Sequence, residues 1–193
     1  MTVSEIKRYN KVDAEKCKGK QIRVLFNYRY APHHKKGREL IDSRSINENL
    51  TVHMDWILDC THDSDFVGRW HRNKVNSGGV QMQKSVHHFD LVYFGLNTGS
   101  ETVYGVGGLR FYGKENAQTR GEKNCGERYL KDEDIKQDPF AFDIGKSDRL
   151  KSLYFNAGHE DGYIRDQNCF AKGITIEYNL SMVIAYKSRA AMT

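Results

Sequence analysis

The feature that most restricts this chain is a two-residue rhythm of apolar side chains toward its C-terminal end. Ile174, Ile176, Tyr178, Leu180, Met182, Ile184 and Tyr186 alternate with Thr175, Glu177, Asn179, Ser181, Val183 and Ala185. Successive side chains of an extended strand point to opposite faces, so this run predicts a strand with one buried side. Thirteen residues at the usual rise would span about 40 Å, which predicts a strand that bends or crosses the middle of a sheet.

The same rhythm occurs twice more. Ile22, Val24, Phe26, Tyr28 and Tyr30 share one face against Arg23, Asn27 and Arg29, and Leu50, Val52, Met54, Trp56 and Leu58 alternate with Thr51, His53, Asp55 and Asp59. Shorter strands are expected near 65–71, 79–83, 86–95, 102–112, 139–144 and 149–155. Ser77-Gly78-Gly79, Asn97-Thr98-Gly99 and Asn156-Ala157-Gly158 mark turns, and the stretches 31–48 and 113–137 read as polar connections, the second with a short helix at Glu127–Lys136. Crossover helices are not evident between the strands. The expectation is therefore an all-β fold, an antiparallel β-sandwich or jelly roll with a short N-terminal helix.

That helix is predicted over 3–16 from the capping-box spacing Thr2-Val3-Ser4-Glu5 and the apolar positions Val3, Ile6, Tyr9 and Val12. Its stripe is narrow, which suits a helix lying on another surface. The domain reading is a basic helical arm, 1–20, followed by one β-sandwich domain, 21–193. At 193 residues the chain is long enough to bury a core without staples. Cys17, Cys60, Cys125 and Cys169 are widely separated with no C-x-x-C pair, so reduced thiols are expected. No run has the length of a membrane span, and the first residues lack the apolar stretch of a signal peptide; cytoplasmic synthesis is the corresponding expectation.

Charge is unevenly placed. Residues 1–38 carry eleven Lys/Arg against three acids, and the remainder nineteen against twenty-two. Lys7, Arg8, Lys11, Lys16, Lys18, Lys20, Arg23, Arg29, Lys35, Lys36 and Arg38 form a candidate nucleic-acid or anion surface interleaved with Tyr28 and Tyr30. A solvated helix and an edge strand would use the same residues without any ligand.

Metal ligation is tested by the run Asp59-Cys60-Thr61-His62-Asp63-Ser64-Asp65, with His71 close by. Zinc is held by Cys, His and carboxylate side chains, and Cys60, His62, Asp63 and His71 are the candidate set, although their spacing follows no zinc motif. His87 and His88 would face opposite ways on a strand. His159-Glu160-Asp161-Gly162 lacks the second histidine of H-E-x-x-H, because position 163 is Tyr163. Gly105-Val106-Gly107-Gly108 lacks the third glycine of a dinucleotide turn, so no cofactor is expected from it. Trp70, Tyr104 and Tyr112 are candidate stacking platforms for a ligand such as a glycan.

No side chain has a catalytic role that spacing alone assigns. The function expected from these features is a non-enzymatic, self-assembling structural protein of viral-coat or crystalline-inclusion type, located in a virion or an intracellular assembly. In it residues 1–20 would join copies into a homo-oligomer, with nucleic acid or a glycan as further partners. The alternatives are a carbohydrate-binding module and a metal-dependent nucleic-acid enzyme.

Overall fold

A computed structural model describes residues 25–45, 51–122, 126–129 and 138–193. The expected arm 1–20, the helix at 3–16 and the basic residues Lys7 to Arg23 lie outside the described residues, as do positions 130–136 of the helix expected at Glu127–Lys136. In chain order the helices are α1 (Pro32–Asp42), α2 (Cys60–Val67), α3 (Lys74–Ser77), α4 (Val86–Leu96), α5 (Lys114–Thr119), α6 (Asp148–Leu150) and α7 (Gly158–Asp161). The strands are β1 (Thr51–Val52), β2 (Ser100–Gly108), β3 (Asn179–Tyr186) and β4 (Ala191–Met192), in one sheet of order β1-β4-β3-β2. β4 runs parallel to β1, pairing Thr51 with Ala191, and antiparallel to β3, pairing Ile184 with Met192. The sheet is thus mixed and accompanied by helices. This overturns the all-β sandwich.

The correction has local causes. Pro32 occupies the first turn of α1, where its missing N–H costs nothing, so the supposed connection at 31–48 is largely helical. Asp59 accepts a hydrogen bond from the Thr61 N–H at 2.9 Å and Asn73 one from the Val75 N–H at 3.0 Å, so each starts a helix where a strand or wet loop was expected. Asn27–Tyr30 is a 3-10 turn, and of the alternation expected from Leu50 to Leu58 the described residues, 51–58, form a strand only at Thr51–Val52. The run at 86–95 is α4, the residues at 79–83 lead into a π-helical turn, Gln81–Ser85, and those at 149–155 end in another, Lys151–Phe155. Residues 65–71 finish α2 and begin a 3-10 turn, Trp70–Arg72, while 139–144 has no strand. Of the strands expected around 102–112 and 174–186, those at Ser100–Gly108 and Asn179–Tyr186 form. Gly78 and Asn97 adopt left-handed conformations at the ends of α3 and α4, as turn residues should.

The chain divides into two compact units, Met1–His53 with Gln81–Tyr104 and Met182–Thr193, and Met54–Val80 with Gly105–Ser181. In the first, α1 packs on α4. Arg38 donates from Nη1 to the terminal carbonyls of Phe94 and, at 3.3 Å, Gly95, satisfying groups that a helix end leaves open. Arg29 grips Asp90 with two hydrogen bonds, Nε to Oδ2 at 2.6 Å and Nη2 to Oδ1 at 2.5 Å. A mainly apolar groove of about 370 Å³ lies among Phe26, Phe89, Tyr93, Met182, Ile184 and Tyr186.

In the second unit the core is Val67, Val80, Tyr112, Ala117, Cys169, Phe170 and Ile176, with Phe66, Phe111 and Phe140 against it. Phe111, Phe140 and Phe170 meet edge to face at 5.2–5.8 Å, the favoured geometry for ring quadrupoles. Buried Arg72 donates to Gln167 Oε1 and to the carbonyls of Asn168 and Lys172, fastening the loop that carries Cys169. Burial pushes the Cys169 thiol up to about 12, so this cysteine is an inert part of the core. The glycines at 105–108 belong to β2, and a Cβ on Gly107 would stand 2.6 Å from Leu180 Cδ2. Gly107 is there to let a neighbouring chain approach.

Candidate active site on helix α2

Of the residues first grouped as metal candidates, Cys60, His62 and Asp63 fall on α2, which sorts them by face, and His71 falls in the 3-10 turn Trp70–Arg72. Asp63, Ser64 and Val67 are buried, whereas Cys60, Thr61 and His62 are exposed in the first turn. That turn is fastened at several points. Asp59 holds the Thr61 N–H, the Tyr112 hydroxyl donates to the Cys60 carbonyl at 2.5 Å, and the Ser64 hydroxyl reaches the carbonyls of Thr61 and Phe140 at 2.7 and 2.9 Å. Tyr112 is completely buried and its ionisation is driven strongly upward by burial, so it is a permanent donor. Burial raises the ionisation of Tyr178 in the same sense, and the Asp63 carboxyl adds to it. The result is an exposed imidazole on a rigid backbone.

One turn further along the same face stands Asp65, and Arg69 follows in extended backbone just past the end of α2. Arg69 Nη2 donates to Asp65 Oδ2, and Arg165 Nη2 donates to Asp65 Oδ1. Burial alone would raise the Asp65 carboxyl, but the hydrogen bonds and charges of Arg69 and Arg165 outweigh it and hold the group below its usual range. Arg165 lies over the Phe142 ring at 3.8 Å.

The expected sites are placed as follows. Among the described residues no group of three or more His, Cys, Asp or Glu is arranged to hold a metal, because helical spacing sends Asp63 inward while Cys60 and His62 face out. His71 stacks on Trp70 at 3.8 Å and meets the Phe66 ring, tilted, at 4.5 Å. Of the stacking candidates, Trp70 and Tyr104 are exposed and Tyr112 is core. Of the basic set, Arg29 is engaged by Asp90, Lys36 by Glu39 and Arg38 by Asp42, while Lys35 sits 5.7 Å from the Tyr30 ring. His87 and His88 share α4, with His88 buried and burial lowering its protonation. Arg69, Arg165 and Asp65 were not singled out by sequence; the Asp65–Arg69 spacing of four becomes a signal only when the segment is read as a helix.

The model of the oxidoreductase family, C-terminal alpha/beta domain, of GFO/IDH/MocA type, matches residues 38–193. This chain belongs to that family. The assignment overturns the expectation of a non-enzymatic coat or inclusion protein, and with it the carbohydrate-module and nucleic-acid-enzyme alternatives. A curated relative, "Putative oxidoreductase YteT" of Bacillus subtilis (strain 168), is 38% identical over 115 residues, which are 60% of this chain and 26% of that protein. Among solved structures the chain is similar to a "putative myo-inositol dehydrogenase" from Sinorhizobium meliloti 1021, with 16% identity, a TM-score of 0.47 and coverage of 99% of this chain and 38% of that one. It is also similar to a "probable dehydrogenase" from Thermotoga maritima, with 13% identity, a TM-score of 0.41 and coverage of 86% and 32%. The family member thus spans about a quarter to two fifths of the length of these relatives.

Proposed function

We propose that this chain supplies the substrate-side acid/base group of an alcohol–carbonyl oxidoreductase, and that His62 is that group. The observation that carries the reading is the exposed imidazole on the first turn of α2, whose backbone is tied down by Asp59, Tyr112 and Ser64, in a chain of an oxidoreductase family. Converting an alcohol to a carbonyl removes a hydroxyl proton, and a positioned imidazole accepts it and returns it in the reverse direction. Support on a capped helix keeps such a group in register with the substrate better than a loop would.

Oxidoreduction also needs a redox carrier. The glycines at 105–108 do not fit a dinucleotide turn: they lie inside a strand, the next helix, α5, does not open until Lys114, and Gly107 is closed off by Leu180 and Glu177. The part proposed for this chain is therefore proton transfer and substrate placement alone.

The test is turnover of hydroxyl-bearing substrates by the oxidoreductase that contains this chain. His62→Ala is expected to lower kcat by about 10²- to 10⁴-fold, with unfolding free energy within about 0.5 kcal/mol of the parent because the ring is exposed. Unchanged kcat would remove His62 from the chemistry.

A further inference from the structure

Two guanidinium groups converge on a single carboxylate beside His62. Arg69 and Arg165 both donate to Asp65, so the cluster carries one positive charge more than it neutralises. Donors are in surplus as well. Arg69 Nε and Arg165 Nη1 are buried and find no hydrogen-bond acceptor among the described residues. The two arginines differ in access: the Arg69 side chain is 39% exposed and Arg165 only 7%. Arg165 is thus a charge held underneath, against the Phe142 ring, while Arg69, with Nη2 on Asp65 and Nε buried, is the arginine whose side chain reaches the surface in part.

Tyr163 stands at the same place. Arg165 lies 5.9 Å from the Tyr154 ring, against which Tyr163 packs, and burial raises the ionisation of the Tyr163 phenol although the charges of Arg165 and Arg69 pull the other way. Its ring meets Tyr154 edge to face at 6.1 Å. A buried donor without an acceptor is costly, and a surplus guanidinium in a half-buried setting is an open site for an anion. One negative charge brings the cluster to neutrality, whereas a phosphate dianion would overshoot it.

We infer that Arg69, Arg165 and Tyr163 bind the carboxylate of the substrate, so that the oxidoreductase acts on hydroxy acids, including sugar acids, in preference to neutral alcohols. This rests on the reading of His62 given above. The geometry follows from α2 and the residue just past its end: His62 and Asp65 are one turn apart on the helix and Arg69 reaches back to Asp65, so a carboxylate docked on Arg69 leaves the rest of a hydroxy acid free to extend toward the imidazole. Arg69 acts as the accessible anchor, Arg165 as the fixed countercharge, and Asp65 as the group that holds both forks in place.

The test is calorimetric titration of this chain with gluconate, with its neutral counterpart glucitol and with glucose 6-phosphate. Gluconate should bind and glucitol should not. Arg69→Gln and Arg69→Lys should each weaken gluconate by roughly 10- to 100-fold, the loss expected for charge-assisted hydrogen bonds, with the melting temperature of at least one variant unchanged. His62→Ala should leave gluconate binding intact. Gluconate binding that ignores both Arg69 variants, a match between gluconate and glucitol, or tighter binding of glucose 6-phosphate would each overturn the carboxylate assignment. Arg69-dependent gluconate binding together with an active His62→Ala enzyme would instead keep the carboxylate site and refute the acid/base role.

Discussion

Two arginine–carboxylate clusters, one in each unit, are built from the same groups to opposite ends. Around Asp90 the count closes. Arg29 meets it with both arms of its fork, and Phe94, Phe26 and Tyr93 lie 5.2, 5.9 and 5.9 Å from the guanidinium carbon. Around Asp65 the count stays open, with two guanidiniums on one carboxylate and unclaimed donors on both. A closed bidentate pair fixes an element in place. An open cluster keeps charge and hydrogen bonds available for something else, and it is the open one that neighbours the exposed His62.

The contrast can be broken by removing each carboxylate in turn. Asp65→Asn leaves Arg165 buried without its countercharge and is expected to destabilise the protein by about 3 kcal/mol, read from urea unfolding. Acid unfolding sharpens the point. The folded Asp65 pKa is held below its ordinary 3.8, so its stabilising effect is complete above that value and is lost as pH falls through the depressed one; the acid limb should be shallower in Asp65→Asn. Asp90→Asn should cost less, about 2 kcal/mol, because Arg29 is 32% exposed and can turn its fork to water. Replacing the arginines separates the clusters further. Arg29→Gln leaves the Asp90 carboxylate, 7% exposed, without its countercharge and is also expected to cost about 2 kcal/mol, whereas Arg69→Gln should cost less than about 0.5 kcal/mol, since Arg165 still satisfies Asp65. Equal costs for those two variants would erase the distinction between closed and open clusters.

The sequence made β3 legible because one face of a half-buried strand repeats every two residues: Leu180, Met182, Ile184 and Tyr186 are the more buried side of Asn179–Tyr186. The same rhythm misled at 174–178. Ile176 there is core, but the backbone bonds to Arg72 and Gly108 as single links and no strand forms. Alternation reports an extended, half-buried chain; it does not report pairing. In α4 the buried residues His88, Asp90 and Val92 also stand two apart, and the run VHHFDLVYFGL is apolar on so many sides that period two and period 3.6 cannot be separated by inspection. At α2 the informative signal was Asp59 as an N-cap. Read as a helix start, it turns Cys60, His62 and Asp63 from three ligands of one ion into residues of different faces, and it brings Asp65 and Arg69 together. His62 was visible as a chemistry-bearing residue from the sequence. Arg165, a hundred residues away, was not, because only the fold brings it to Asp65.

The central claim is that the α2 face, and not the Asp90 cluster, is the ligand-facing arginine site. The most direct measurement is the side-chain Nε–Hε resonances of Arg29, Arg69 and Arg165 during addition of gluconate. Saturable shifts of Arg69 and Arg165 with Arg29 unmoved are the predicted result. Shifts at Arg29 alone, or no saturable shift at Arg69 and Arg165, would contradict it.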